Sequence, residues 1–279
     1  AASLCPKRFG VDVIILFYDI TTLPLAMGLP FDLVKDSGPT PDRPVHTPAD
    51  LARLNPEPHP DSYAHIRALL KKVKADLRGE LPVIVFAGAP FTVATYCIGT
   101  GKHMAATRTF AAEQPAVWDG LLDRLTHATG MFLRTLIDDG ADVYQLFDSW
   151  AGMLTEPEYA KWADSLHRTV LASATGVPRI LFVKECPYLD RMAASGAEVV
   201  SLGVQHDLAA ARAKYPHLVF QGNVDEAVLR TGTPEQVEAA VRACRAAGGG
   251  SRHILNLNHG VGKETPVANF EAYIRAAKE

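Results

Sequence analysis

The sequence predicts an α/β fold whose parallel sheet is closed into a (β/α)8 barrel, and three observations support this class. Short runs of β-branched and aromatic residues alternate with helical segments along the chain, which is typical of βαβ units. Most of these runs are almost continuously apolar, as expected of strands that are covered on both faces. Polar or glycine-containing motifs follow nearly every run, as in a barrel whose loops build a site at one end.

Seven of these runs are predicted strands, whereas a complete barrel has eight. An open, doubly wound sheet is the alternative architecture. No Gly-x-Gly-x-x-Gly motif follows an early strand, which counts against a dinucleotide-binding sheet, so the barrel is favoured. The predicted strands cover residues 11–17, 82–87, 142–147, 180–184, 198–202, 218–221 and 253–258.

The helices between these strands are predicted from apolar spacing and from capping motifs. Residues 61–77 carry apolar side chains at helical spacing, and residues 110–137 contain one or two amphipathic helices. Thr155 and Thr233 each begin a Thr-x-x-Glu/Gln capping box, and Thr47 begins a weaker version of it. Pro234 and Pro266 are expected at first helical positions, where a missing N–H costs nothing.

Length and composition indicate an ordinary globular protein. The chain has 279 residues, 48% of them apolar and 21% charged, and the 28 basic and 31 acidic residues give a formal net charge of −3. These values exclude disordered and collagen-like classes. No linker, repeat or low-complexity stretch divides the chain, so residues 1–279 are predicted to form a single barrel domain.

Several partner classes are disfavoured by the same composition. The longest apolar run, residues 13–18, is far shorter than the roughly 20 residues of a membrane helix, and no secretory signal opens the sequence. Net acidity and the lack of basic runs argue against nucleic acid. We therefore expect a cytoplasmic protein with no membrane or nucleic-acid partner. The four cysteines are dispersed singly, which suits a reducing compartment: Cys5, Cys97, Cys186 and Cys244.

Two candidate site residues follow the first two strands. Asp19 lies at or just past the end of the first strand, where an acid is expected to be partly desolvated and to need a cation or several donors. The alternative for Asp19 is a helix cap or a loop hydrogen bond. Tyr96 follows the small-residue segment 86–92 and would direct its hydroxyl into the site; the alternative is a packed helical aromatic residue.

The third and last strands end in further polar motifs. Residues 145–152 combine aromatic and polar side chains, so that Phe147 is a candidate ring wall, Ser149 a candidate donor and Asp148 a candidate turn cap. The last strand leads into His259, which is a candidate functional histidine because it stands beside a glycine at a strand end. Residues 221–223 form a similar polar turn after the sixth strand.

The motifs of common cofactor and nucleophile chemistry are absent from the sequence. There is no closely spaced Cys/His set for zinc, and there is no nucleophile elbow or phosphate-binding loop. Residues 184–186 contain a single cysteine without a histidine. We therefore expect a reaction without metal or organic cofactor, run by positioning and local charge.

Taken together, these segments resemble the uroporphyrinogen decarboxylase family. The similarity lies in five motifs in the order and spacing of that family, along nearly the whole chain. None of the five is decisive alone. The motifs are residues 14–20, 86–92 with Tyr96, 145–152, 221–225 and 253–260.

The resemblance implies a (β/α)8 TIM-type barrel, usually a homodimer, that decarboxylates the four acetate side chains of uroporphyrinogen without a cofactor. By position, Asp19 matches the aspartate that faces the pyrrole N–H groups, and Tyr96 is assigned a supporting catalytic role. The resemblance also implies four substrate-binding residues in the cleft, in which Phe147 is an aromatic wall and His259 binds a substrate carboxylate: Phe17, Phe147, Ser149 and His259.

Three departures from the family pattern carry expectations of their own. The family's opening strand, with its arginine-bearing segment, is absent here, and Ala1 aligns part-way into the helix that follows it. We expect that strand in the full gene product or disordered in a crystal. If the 279 residues are everything, we expect weak binding and negligible turnover, because the arginines would be missing. Residues 201–205 replace the family's Gly-Leu-Asp-Trp and remove an acid from the cleft rim, and Asn258 replaces a glycine.

Two alternatives to the enzyme remain open. One is a zinc-dependent methyltransferase of the same fold, because Cys186 lies where those enzymes place the Cys of a His-x-Cys motif, although Lys184 replaces the His. The other is a tetrapyrrole-binding homologue that has lost catalysis. Candidate cations for the carboxylates of the substrate, each also explicable as a surface charge, are Lys102, His103, Lys184, His206 and Lys263.

Overall fold

A seven-stranded parallel sheet forms the centre of the protein in the computed structural model, which describes residues 4–34 and 38–279. The strands follow one another in chain order across the sheet, and the sheet is curled, with helices on its outer face. All seven predicted strands and the barrel class are confirmed. The strands are β1 (Ile14–Ile15), β4 (Val83–Gly88), β5 (Val143–Asp148), β6 (Arg179–Val183), β7 (Val199–Ser201), β8 (Val219–Gln221) and β9 (His253–Ile254).

A separate antiparallel hairpin, which the sequence did not predict, follows the first strand. Strand β2 (Phe31–Val34) pairs with β3 (Gly38–Pro41), so that Phe31 lies opposite Pro41. Glycine and proline are depleted in strands, and Pro39 and Pro41 therefore conceal β3 in the sequence. Proline has no N–H to donate to a neighbouring strand. The hairpin tolerates Pro39 and Pro41 because, among the described residues, β3 pairs with β2 alone.

Helices connect the strands. The segment 110–137 contains two helices, because the first ends at Glu113 and Pro115 starts the next. The α-helices are α1 (Leu4–Phe9), α2 (Thr22–Ala26), α3 (Pro48–Ala52), α4 (Ala64–Leu77), α5 (Pro90–Cys97), α6 (Met104–Glu113), α7 (Pro115–Asp138), α8 (Glu156–Tyr159), α9 (Ser165–Ser173), α10 (Leu189–Ala193), α11 (Leu208–Lys214), α12 (Glu226–Thr231), α13 (Pro234–Gly248) and α14 (Val267–Lys278). Pro60–Tyr63 and Ala151–Met153 are 3-10 helices, and Ala160–Asp164 is a π-helical segment between α8 and α9.

The predicted caps are confirmed in three helices. Thr47, Thr155 and Thr233 form capping boxes with the residue three positions later. Pro234 occupies the first turn of α13 as predicted, whereas Pro266 is the N-cap of α14 rather than its first helical residue. These ends are set by local chemistry, which explains why the sequence predicts them within one residue.

The core has two parts, one on each face of the sheet. The larger lies between the sheet and the helices and includes Leu16, Val85 and Leu146. The smaller lies on the opposite face and consists of Ile84, Ile180 and Val199, against which Val13, Val143 and Val219 pack. Since alternate strand residues face opposite sides, this second cluster fills the floor of the curled sheet.

A polar layer follows this apolar floor, two residues further along the strands. Gln221 Nε2 donates to Gln145 Oε1 (3.1 Å) and to Ser201 Oγ (3.4 Å), and all three side chains are buried. These bonds join three strands across the inside of the sheet, so the space available to a ligand begins above the layer, at the carboxyl ends of the strands. No helix among the described residues is long and apolar enough to span a membrane.

Candidate active site

Asp19 lies where predicted, directly after β1, but it is exposed rather than desolvated. Its Oδ1 accepts hydrogen bonds from the backbone N–H (2.8 Å) and the hydroxyl (2.7 Å) of Thr21. The expected burial is wrong because, within the described chain, β1 pairs only with β4 and leaves one side of the loop uncovered. Asp19 nevertheless borders a small cavity that it shares with Ala87 and Gly88 at the end of β4.

The neighbouring Tyr18 holds this segment against β4. Its hydroxyl donates to the carbonyl oxygen of Phe86 and accepts from the Phe86 N–H (2.9 Å), and its ring stacks on Phe86 with centroids 4.4 Å apart. Burial raises the pKa of Tyr18, so the hydroxyl stays protonated. Tyr18 therefore fixes the backbone from which Asp19 projects, a role that sequence reasoning missed.

Tyr96 projects from α5, which begins just after β4, and its side chain is half-buried. Burial raises the pKa of Tyr96, and the negative charge of Asp19 raises it further. The charge of Asp19 therefore acts on the Tyr96 hydroxyl, as expected if the two residues share a site. Its ring lies beside that of Trp150, with centroids 6.4 Å apart.

Five rings form a continuous arc on the inner face of the sheet, and we call it the aromatic arc. Three of its rings belong to predicted site residues at separate strand ends. The other two, Phe86 and Phe182, were not predicted as site residues. Phe147 lies opposite Phe182 in the β5–β6 register. Successive centroid distances of 6.5, 5.3, 5.2 and 6.2 Å connect Phe17, Phe86, Phe147, Phe182 and His259 in that order.

Ser149 follows β5 and is half-buried at the end of this sheet. Its hydroxyl makes no hydrogen bond to any part of the chain that the structure describes, so it is free to contact a ligand. The preceding Asp148 is fully buried and contacts more than the turn that it was predicted to cap.

His259 follows β9 and lies at the mouth of the curled sheet. Partial burial lowers the pKa of its imidazole, and the positive charge of Lys184 lowers it further. Lys184 follows Phe182 by two residues and therefore faces the same side of the sheet. It is half-buried and forms no salt bridge with the residues described.

The other candidate cations either lie beside a polar partner or are exposed to solvent. Lys263 lies 3.9 Å from Glu264, and His206 Nε2 lies 2.7 Å from the carbonyl oxygen of Cys186. Lys102 and His103 are exposed after α5. Among these candidates, Lys184 is the one whose charge lowers the pKa of a predicted site residue, His259.

Cys186, the residue on which the zinc alternative depends, is almost fully buried. Burial raises the pKa of its thiol to about 11, so the uncharged form predominates at neutral pH. Across residues 4–34 and 38–279, no group of three or more His, Cys, Asp or Glu side chains is arranged to hold a metal ion.

Comparison with known proteins identifies relatives along the whole sequence. The profile of the family Uroporphyrinogen decarboxylase (URO-D) matches residues 1–279. Uroporphyrinogen decarboxylase of Synechococcus sp. (strain CC9605) is 35% identical over 278 residues, which cover 97% of this chain and 79% of the relative. The protein of the same name from Trichodesmium erythraeum (strain IMS101) is 35% identical over 286 residues, with 99% and 80% covered.

Solved structures with low sequence identity share the fold. A methyltransferase from Methanosarcina mazei has a TM-score of 0.80 at 19% identity, with 99% of this chain and 83% of that chain covered. A B12-independent methionine synthase from Shewanella sp. W3-18-1 has a TM-score of 0.65 at 10% identity, with the same coverage of the two chains. These likenesses support the barrel architecture alone.

Proposed function

Because the chain belongs to the uroporphyrinogen decarboxylase family, we propose that it is a carboxy-lyase of porphyrin biosynthesis that converts uroporphyrinogen into coproporphyrinogen. The reaction removes carbon dioxide from four acetate side chains and leaves four methyl groups. The observation that carries this proposal is the family match over residues 1–279, which includes every predicted site position.

The chemistry requires an electron sink, and the substrate itself can supply it. Protonation of a pyrrole ring carbon gives a cation that accepts the electrons released with carbon dioxide. A second proton then completes the methyl group, and the ring carbon releases the first proton to restore the pyrrole. The four pyrrole N–H groups of the macrocycle can point together at one acceptor. A fixed carboxylate at that point stabilises the cation electrostatically.

We propose Asp19 for this carboxylate. Its Oδ1 is oriented by two bonds from Thr21, while Tyr18 ties the preceding backbone to β4. The exposure of Asp19 is compatible with this role, since a charge that waits for a bound macrocycle must be reachable. Tyr96, coupled to Asp19 through its pKa, is proposed to support it from α5.

The aromatic arc is proposed to hold the macrocycle. Its first ring, Phe17, is 83% exposed, and a large apolar side chain so exposed at the mouth of a cleft is typical of a binding surface. Pyrrole rings can stack on such faces. Phe147 would form the wall, while Ser149 and His259 would contact substrate carboxylates at the rim.

We further propose that the protein acts in the cytoplasm as a homodimer and needs no metal or organic cofactor. These proposals rest on the family resemblance and on the singly dispersed cysteines. Light scattering tests the dimer, which a monomer mass would contradict. Turnover that persists after treatment with a metal chelator supports cofactor independence, and loss of turnover that zinc restores would contradict it. Stoichiometric zinc in the purified protein would support the methyltransferase alternative.

The decisive experiment is incubation of the full gene product with uroporphyrinogen under anaerobic conditions. Separation of the products by carboxyl number should show stepwise loss from eight carboxyl groups to four, with matching release of carbon dioxide. Saturable binding without release of carbon dioxide would overturn the enzymatic proposal and would support the tetrapyrrole-binding alternative.

A further inference from the structure

We infer that Asp148 is a positioning residue, whose buried carboxylate joins the loop that carries Ser149 to the helix that carries Tyr96. This inference rests on the proposed function, because it assigns a task to two residues of the proposed site. Asp148 ends β5, and the side chain is fully buried. We call its hydrogen-bonded group, Thr92, Asp148, Trp150, Ala151 and His167, the Asp148 clamp.

Three groups from three segments bind the Asp148 carboxylate. The Thr92 hydroxyl of α5 donates to Oδ1 at 2.6 Å, and the Ala151 N–H donates to the same atom at 3.1 Å. His167 Nε2 of α9 lies 2.8 Å from Oδ2, and its side chain is 1% exposed. A buried carboxylate is costly unless it is hydrogen-bonded, and here both oxygens are satisfied.

The directions of these bonds follow from the chemistry of each group. The Thr92 hydroxyl accepts from the Trp150 N–H at 3.1 Å, so its own proton is directed to Asp148. A carboxylate oxygen accepts hydrogen bonds, and the His167 tautomer that carries its proton on Nε2 donates to Oδ2. The bonds therefore run from Trp150 through Thr92 to Asp148 and close a ring around Ser149.

This ring constrains two predicted site residues at once. Ser149 stands between residues that are both anchored, Asp148 by its side chain and Trp150 by its backbone. Thr92 and Tyr96 lie four positions apart on α5 and therefore on the same face of that helix. The Asp148 clamp thus restrains Ser149 relative to Tyr96, although neither side chain makes a hydrogen bond of the ring.

The loop after β5 also packs closely against the backbone that follows β6. Gly152, which follows Ala151, lies so near the carbonyl oxygen of Lys184 that a Cβ atom would collide with it. The loop after β5 is therefore held against α5 on one side and against the end of β6 on the other.

The test uses Thr92→Val, which has nearly the same volume but neither donates to Asp148 nor accepts from Trp150. We expect the KM for uroporphyrinogen to rise about tenfold while kcat changes less than about threefold, because binding geometry is lost and Asp19 is untouched. Thr92→Ser, which keeps the hydroxyl, should restore the wild-type KM. Asp148→Asn is a second variant, for which a larger KM change is expected.

Thr95→Val is the matched control. Thr95 is a fully buried threonine of the same helix, and its hydroxyl donates only to the backbone oxygen of Thr92. A merely structural role for Thr92 would give the two valine variants similar KM values and similar thermal stability. Wild-type KM in Thr92→Val, with active wild-type enzyme, would overturn the inference and leave the proposed function intact.

Amide hydrogen exchange supplies a readout that does not depend on activity. In Thr92→Val, the amides of Trp150 and Ala151 should exchange about tenfold faster than in the wild type, because the Trp150 N–H loses its acceptor and the carboxylate that accepts from the Ala151 N–H loses its bond to Thr92. If the wild-type chain shows no turnover, the proposed function fails, and this exchange result decides the Asp148 clamp by itself. Unchanged exchange at both amides would overturn it.

Discussion

The central and edge strands of the sheet differ in how completely their neighbours cover them. Strands β4 and β5 contain six residues each and pair on both sides, and every residue of β4 is buried. Strands β1 and β9 contribute two residues each and, in the part of the chain described, pair on one side only. Accordingly Ile15 is 45% exposed and Ile254 is 37% exposed.

The site residues follow the same division. Tyr96, Phe147 and Ser149, which follow or end central strands, are half-buried, whereas Asp19 and His259 follow edge strands and are exposed. We infer that the central half supplies rigidity and the edges supply polar groups that a ligand can reach.

Asp19→Asn should separate activity from stability. We expect kcat to fall about 10²–10³-fold, or about 3–4 kcal/mol of barrier, because a neutral amide cannot stabilise the pyrrole cation. The free energy of unfolding should change by less than about 0.5 kcal/mol, because the residue is exposed and the amide oxygen still accepts from Thr21. Steady-state kinetics and urea unfolding measure the two effects.

The control for that variant is Asp12→Asn, which removes another exposed acid just before β1. It should leave kcat unchanged. A kcat within about threefold of the wild type in Asp19→Asn would remove Asp19 from the mechanism.

Leu146→Ala and Ile15→Ala compare the packing of the two regions. Leu146 lies in β5 and is fully buried, so its truncation should cost about 3 kcal/mol of unfolding free energy. Truncation of the half-exposed Ile15 in β1 should cost less than about 1 kcal/mol. Urea unfolding gives both values, and equal losses would contradict the division between centre and edge.

The Arg108–Glu158 ion pair joins α6 to α8, outside the edge strands, and we expect its contribution to the free energy of unfolding to be lost in acid. Arg108 donates to both oxygens of Glu158, at 2.7 and 2.9 Å, and this contact lowers the pKa of Glu158 from 4.5 to about 2. A lowered carboxyl pKa stabilises the fold above the ordinary value, and this stabilisation is lost as pH falls from 4.5 towards 2.

Arg108→Met should therefore lower the unfolding free energy by about 1 kcal/mol at pH 7, since the pair is partly exposed. The difference from the wild type should shrink through that acidic range. Stability measured at a series of pH values would refute the assignment if the difference stayed constant down to pH 2.

The smallest effect concerns His259. Because the charge of Lys184 lowers the pKa of His259, Lys184→Met should raise that pKa towards its ordinary value. A histidine with a lowered folded pKa loses stability as pH falls below its ordinary value, so this loss should lessen in the variant. Titration of the imidazole by NMR measures the shift; Lys263→Met, which alters an exposed neighbour, should leave it unchanged.

Much of the fold was predictable because strands and helix starts have local signals. Seven near-continuous apolar runs predicted seven strands, and Thr155 and Thr233 predicted two helix starts. The hairpin at β2 and β3 was missed, because Pro39 and Pro41 argue against a strand and only pairing with residues 31–34 creates it.

The sequence predicted where along the chain the site residues lie, but not how deeply they are buried or what they contact. Asp19 was predicted at the correct strand end, but its burial was wrong, because burial depends on the strands that lie beside β1. Phe86 and Phe182 were missed since, in fully apolar strands, no polar alternation marks the residues that face the inside. The sequence predicts only a turn cap for Asp148, because its partners Thr92 and His167 are remote in sequence.

From the sequence alone follow the seven strands of the parallel sheet, the capped helix starts, and the strand ends where polar residues concentrate. These features depend on the spacing of apolar residues and on capping groups within a few positions. Only the tertiary structure decided the aromatic arc and the Asp148 clamp, whose members are separated by tens of residues: Thr92 and Asp148 are 56 apart. Their contacts follow from strand register and sheet curvature, which no local pattern of residues specifies.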